Sequence, residues 1–262
     1  MKRLINIIFW VALLAYYFVA MSFVSLQRGE VICTSVNVTI LDSLRSHFVT
    51  VHDVVQMIEQ SAKKVKGKPL DSINTLKLEH QLVQHAPVQR AEVYKTIDGT
   101  LHVNIVQRKP VLRVINRFGE SYYLDEEGQA LKHSNRYSAH VLVANGYINQ
   151  RAPGKETFNV WKMESEQGKR ILIRELFELA LWISDHSFWN AQIQQVYVNA
   201  DGDFELIPRV GSHIIVFGRF DKADEKFSKL ESLYRNGLNV KGWNTYDVIN
   251  LKYDGQIVCT QR

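Results

Sequence analysis

The chain has 262 residues, 46% hydrophobic and 23% charged, which is ordinary globular composition and enough for one large domain or two ordinary ones. Two cysteines exclude a disulfide framework, and with no long Gly, Ser, Pro or Gln tract and no internal repeat the composition argues against a disordered chain. A formal charge of +5 would suit nucleic acid in a cytosolic protein, but the first element places most of the chain beyond a membrane, where a membrane surface or an acidic partner fits better.

That element is Leu4 to Val24, which carries no charged residue and only Asn6 and Ser22 as strongly polar side chains. A helix rising about 1.5 Å per residue needs roughly 20 residues to cross the ~30 Å hydrocarbon core with every backbone group satisfied. Residues 4–24 are therefore expected to form a transmembrane helix. Lys2 and Arg3 precede it, and the bias of basic residues toward the cytoplasmic flank predicts residues 1–3 as a cytoplasmic tail and the rest as exported. A cleaved signal peptide is the competing reading, with small residues at Ala20-Met21-Ser22. The apolar run continues through Phe23 and Val24, however, and signal-peptide cores span only about 7–15 residues. A lipoprotein anchor is disfavoured, since Glu30-Val31-Ile32 precedes Cys33 where small residues are needed. Pairing of Cys33 with Cys259 is conceivable in an oxidising compartment and stays open.

After a tether over residues 25–34, Val36, Val38 and Ile40 alternate with Asn37 and Thr39, predicting a strand over Ser35 to Leu41. Thr50 and Asp53 have capping-box spacing, and Val51, Val54, Val55, Ile58 and Ala62 follow as a helical stripe. Lys63, Lys64, Lys66 and Lys68 close that helix, where the dipole favours cations. Asn74 is the candidate cap of a second short helix bearing Leu78 and Leu82. From Val88 to Arg108 the period changes to two, with Val93, Leu101, Val103 and Ile105 on one face and Asp98-Gly99 as the hairpin turn. The order is β-α-α-β-β.

Pro110 follows the polar joint Arg108-Lys109 and marks a boundary. Beyond it, strands are expected at Val111 to Asn116, Ser121 to Leu124 and Val141 to Ala144, then a loop from Gln150 to Gly168 and a helix over Ile171 to Ile183. Further strands are expected at Gln192 to Val198, Phe204 to Pro208 and His213 to Phe217. A helix capped by Asp221 carries Ala223, Phe227, Leu230 and Tyr234 as its stripe and stops at Gly237. The last strand runs from about Asp247 to Thr260, with Asp254-Gly255 as a bulge or a turn within it.

No pattern of enzyme chemistry stands out. HExxH, GxSxG, SxxK with partners and a Gly-rich phosphate loop are all absent from the sequence. His80 and His85 are five apart, which is not the i,i+4 stacking of helical metal ligands, so surface positions are expected. Asn199-Ala200-Asp201-Gly202-Asp203 superficially suggests a calcium loop. Val210 stands where such a loop would place its bidentate Glu, with Pro208 just before it, which favours a hairpin turn. No catalytic, cofactor or metal residue is assigned.

The order of parts, the run Leu82-Val83-Gln84-His85-Ala86-Pro87-Val88-Gln89-Arg90-Ala91-Glu92-Val93 and the joint Arg108-Lys109-Pro110-Val111 resemble the FtsQ/DivIB family of bacterial cell-division proteins. The likeness covers nearly the whole chain. It implies an α+β class: one N-terminal transmembrane helix, a POTRA-like domain over residues 35–109 and a mixed, mainly antiparallel β domain with helices over 110–262. Near its end the family has a strand reading roughly Asp-Leu-Arg-Tyr, which Asn250-Leu251-Lys252-Tyr253 resembles with Asn for Asp and Lys for Arg. Lys keeps the charge and loses the planar fork that grips a carboxylate with two bonds.

The resemblance implies a non-catalytic scaffold in the inner membrane at the division septum, with its domains in the periplasm and with FtsB and FtsL as partners. A partner segment would add to an exposed sheet edge. By resemblance that edge is Tyr253, Gly255, Gln256, Ile257 and Val258, with Lys252 as the nearby cation. The POTRA-like unit would serve recruitment through Ser35 to Leu41 and Val51 to Ala62. An anchored envelope enzyme acting on cell-wall polymers is the alternative, and a sensor or secretion-type POTRA protein a third reading.

Overall fold

The computed structural model describes residues 2–27, 31–42, 48–62, 65–134, 136–154, 156–165 and 170–262, with the side chains of 2–7, 23–27 and 61–62 outside the description. Lys63, Lys64, the middle of the tether and parts of the 150–168 loop lie outside the described residues. Two compact units divide the chain, Met1–Gln107 and Arg108–Arg262.

Helix α1 runs Lys2–Gln27. Its described side chains, residues 8–22, are all exposed. Among the described residues no helix is long and apolar enough to cross a membrane. The ends of the expected span 4–24 fall outside the described side chains, which leaves a stretch shorter than the roughly 20 residues needed.

The rest of the first unit is β1 (Ser35–Ile40), α2 (Val51–Ala62), α3 (Thr75–Val83), β2 (Val88–Lys95) and β3 (Thr100–Gln107), in a three-stranded sheet of order β1-β3-β2. Strand β3 pairs parallel to β1 and antiparallel to β2. The expected caps form. Thr50 N–H donates to Asp53 Oδ2 at 3.0 Å while Asp53 N–H donates to Thr50 Oγ1 at 3.2 Å, and Lys77 N–H donates to Asn74 Oδ1 at 2.9 Å. Helices α2 and α3 deliver Val54, Ile58, Leu78 and Leu82 onto Val93, Leu101, Val103 and Ile105 of the sheet. Val51, expected on the α2 stripe, is 50% exposed, and Val54 and Ile58 carry the buried face. Gly99 takes a φ of +86° in the hairpin turn, where glycine has no Cβ penalty.

The second unit is one nine-stranded sheet, order β12-β11-β10-β9-β8-β7-β4-β5-β6. Its strands are β4 (Pro110–Ile115), β5 (Ser121–Asp125), β6 (Ala130–Lys132), β7 (Leu142–Gly146), β8 (Ile193–Val198), β9 (Phe204–Pro208), β10 (Ile214–Gly218), β11 (Tyr246–Asn250) and β12 (Val258–Gln261). Parallel pairs β4–β7, β7–β8 and β10–β11 interrupt an otherwise antiparallel order. Helices α4 (Leu172–Asp185), α5 (Ser187–Gln192) and α6 (Ala223–Leu233) cover one face. Strand alternation sends Leu112, Val114, Val196, Leu206 and Ile249 into that core and leaves Arg113, Val143, Gln195 and Glu205 half-buried on the other face.

Three expectations are corrected here. Strand β6 and helix α5 went unforeseen, being too short to set up a period. Asp221 does not cap α6. Lys222 occupies that position in the left-handed region, φ +48°, and Asp221 instead pairs with the buried Lys226 ammonium. Gly237 does not stop the helix. The chain passes it in a π turn, Tyr234–Leu238, and continues to Lys241, because Leu230, Tyr234 and Leu238 are all buried and burial outweighs the cost of one helical glycine, about 1 kcal/mol.

Candidate functional site

The C-terminal segment is a hairpin at the end of the sheet. Strand β11 lies between β10 and β12, with Ile249 and Leu251 buried. The chain then leaves the sheet, turns at Gly255 with φ +69°, and returns as β12, antiparallel to β11. The single strand expected from Asp247 to Thr260 is thus two strands, with Asp254-Gly255 as a true turn. Strand β12 is terminal in the sheet order, so among the described residues no strand lies along its outer side.

Of the residues singled out from the sequence, only Val258 lies on this edge strand. Lys252, Tyr253, Gly255, Gln256 and Ile257 form the connection leading into it. Val258 and Tyr253 are exposed, at 43% and 50%, whereas Ile257 and Cys259 pack against the core beneath. The segment therefore presents two apolar side chains outward and is held down by two others.

Three lysines tie the connection to its surroundings. Lys252 Nζ donates to Asp203 Oδ2 at 2.6 Å, Lys222 Nζ reaches both oxygens of Asp254 at 2.8 Å, and Lys229 Nζ donates to the Tyr253 carbonyl at 3.0 Å. The hydrogen bond to Asp203 raises the Lys252 pKa above its ordinary value, and Asp254 does the same for Lys222 while its own pKa is lowered by that lysine. Lys252 is thus already engaged with a carboxylate of its own chain. Asp203, Lys222 and Lys229 were missed from the sequence, since partners separated by 24 to 49 residues leave no local pattern.

A family profile described as FtsQ/DivIB, C-terminal related, matches residues 109–260, and one described as a POTRA-like domain matches residues 31–106. The first covers more than half of the sequence. The chain belongs to the FtsQ/DivIB family. No curated protein matches it. FtsQ/DivIB proteins form a non-enzymatic family of division scaffolds, and membership gives this chain a role in cell division through interactions among division proteins.

In the POTRA-like unit of this FtsQ/DivIB protein, β1 is an edge strand, and a cleft of about 250 Å³ lined by Val36, Val55, Ile58 and Val65 runs beside it. Among the described residues no group of three His, Cys, Asp or Glu side chains is placed to hold a metal ion. The 199–203 segment is a hairpin turn between β8 and β9, with Asn199 Oδ1 accepting from the Asp201 and Asp203 N–H groups at 3.0 Å each. Cys33 is buried and Cys259 half-buried, both as free thiols, and burial pushes the pKa of each upward.

Proposed function

We propose that this protein is a non-catalytic divisome scaffold, anchored in the inner membrane by residues 4–24, whose periplasmic C-terminal domain binds FtsB-type and FtsL-type partners by strand addition at β12. The observation that carries the reading is the position of β12 at the end of the sheet order. An extended partner would complete its unpaired main-chain groups, while Tyr253 and Val258 offer apolar contacts to alternate side chains. Lys252, Gly255, Gln256 and Ile257 shape the approach to that edge.

Anchoring is supported by the uncharged run itself and by the exposure of its large side chains between Ile8 and Met21. The assignment of 1–3 to the cytoplasm, 25–34 to a tether, 35–109 to a POTRA-like recruitment domain and 110–262 to the partner-binding domain belongs to the same proposal.

Crosslinked co-purification of the full-length chain from dividing cells tests it. Proline at Gln261, an exposed position within β12 whose N–H alternates away from the β11 side that the Arg262 N–H faces, removes one backbone donor from the open edge without emptying the core. Wild type is expected to bring down small single-pass partners, and Gln261→Pro at matched expression and matched melting temperature at least tenfold less. Equal capture would remove the edge from the proposal. Cell-wall turnover by the purified wild-type protein would replace the scaffold with an enzyme.

A further inference from the structure

We propose that the open face of the C-terminal sheet carries a second binding site, a groove walled by Arg113 and Arg209 that takes the carboxylate end of a short peptide. The groove lies away from the β12 hairpin, encloses about 480 Å³, and is lined from β4, β7, β8, the 138–141 segment and the end of β9. That volume falls within the range of about 300–1,000 Å³ common to small-ligand sites.

Its charge is one-sided. The lining residues include Arg113, Arg209 and His140 and no Asp or Glu. A guanidinium stays charged at any physiological pH, so the two arginines are permanent cations. Several arginines of this unit find carboxylates, Arg108 pairing with Asp125 and Glu127, Arg151 with Glu120 and Arg262 with Asp247, while Arg117 and Arg174 donate to an amide oxygen and to carbonyls. Arg113 has no carboxylate partner among the described residues. Its Nε donates to Ser121 Oγ, its Nη1 to Ser138 Oγ and its Nη2 to His133 Nε2, each at 3.1 Å. Three neutral acceptors fix the plane of the guanidinium and leave its charge uncompensated, with an N–H remaining on each terminal nitrogen. Among the described residues Arg209 makes no ion pair across the groove.

Arg113 lies over a buried aromatic ring. Tyr123 is fully buried on this face, its ring stacked on His133 with 5.9 Å between centroids, and its hydroxyl accepts from the Ala139 N–H at 3.3 Å. A planar fork held in place matches the two oxygens of a carboxylate. The other polar groups of the lining are amides. Gln195 donates to Asn145 Oδ1 at 2.9 Å and keeps its own oxygen, and Asn190 and Gln194 are exposed. Amide side chains pair with peptide units, so carboxylate and amide recognition together fit the C-terminus of a peptide.

The test uses the full-length chain in detergent micelles with isotope-labelled arginine, titrated with acetyl-trialanine as the free acid, the same peptide as its C-terminal amide, and inorganic phosphate. The free acid is expected to shift the Arg113 and Arg209 side-chain signals saturably and the amide to leave them in place. Half-saturation should move about tenfold higher in Arg113→Gln, the loss of one charged hydrogen-bonding partner. Arg209→Gln, which changes an exposed side chain and keeps the backbone bond to the Gln192 carbonyl, should weaken binding in the same direction. Non-saturating shifts, an equal response to the amide, or wild-type behaviour in Arg209→Gln would overturn the site. Tighter saturation by phosphate than by the free acid would overturn the carboxylate assignment.

Discussion

Lys252 Nζ stands 2.6 Å from Asp203 Oδ2, joining the connection before β12 to the turn between β8 and β9. Asp203 is buried and, among the described residues, its other ion pair is with Arg219, at 3.8 Å, so Lys252 makes the close contact to the carboxylate. Lys252→Met is expected to cost about 1 kcal/mol in urea unfolding, discounted from the full penalty because the lysine is half exposed. The same substitution in an Asp203→Asn background should cost less, and additive losses would show that the pair carries no coupling.

Gly146 ends β7 at φ +100°, and a Cβ there would sit 2.2 Å from the Val198 carbonyl oxygen. That oxygen accepts the Tyr147 N–H at 2.8 Å, so it cannot retreat without opening the β7–β8 pairing. Gly146→Ala is expected to lose more than about 2 kcal/mol, from backbone strain and the clash together. A melting temperature within a degree of wild type would contradict this.

His213 is buried, with Nε2 2.9 Å from the Tyr234 hydroxyl, and burial lowers its pKa below the ordinary value of about 6.5. The folded state holds it neutral while the unfolded chain protonates, so its contribution is fully present above pH 6.5 and falls away as the pH drops below that value. Stability of the C-terminal unit should therefore decline as the pH falls below about 6.5. His213→Gln should flatten that slope, whatever it does to stability at pH 7.5.

Asn74 closes the first turn of α3 through a single side-chain bond to the Lys77 N–H. Asn74→Ala is expected to destabilise the POTRA-like unit by about 1 kcal/mol, and Asn74→Ser to restore most of it. Hydrogen exchange of the α3 amides would read both. Unchanged protection in the alanine variant would count against the cap.

Most helices and strands were legible where side chains repeat over several turns or pleats. The stripe Leu78 and Leu82, the alternation of β3 and the helix around Leu176 to Ile183 all emerge as read, since each period reflects one buried face. The failures fall where distant residues intervene. The continuation past Gly237 depends on a pocket for Leu238, and the three-residue β6 exists because β5 offers it a partner.

The same division holds for the site. By itself the sequence determined the uncharged N-terminal run, the capped helices, the hairpin at Gly99 and the turn residues Asp254-Gly255, because charge, capping geometry and positive φ are properties of a few adjacent residues. Only the tertiary structure decided that β12 ends the sheet, that Lys252 is held by Asp203, and that Arg113 meets Ser121, Ser138 and His133 on an open face. Strand order and long-range ion pairs are set by which segments pair across the whole sheet, and a period of two records that a face is buried without recording which strand lies alongside.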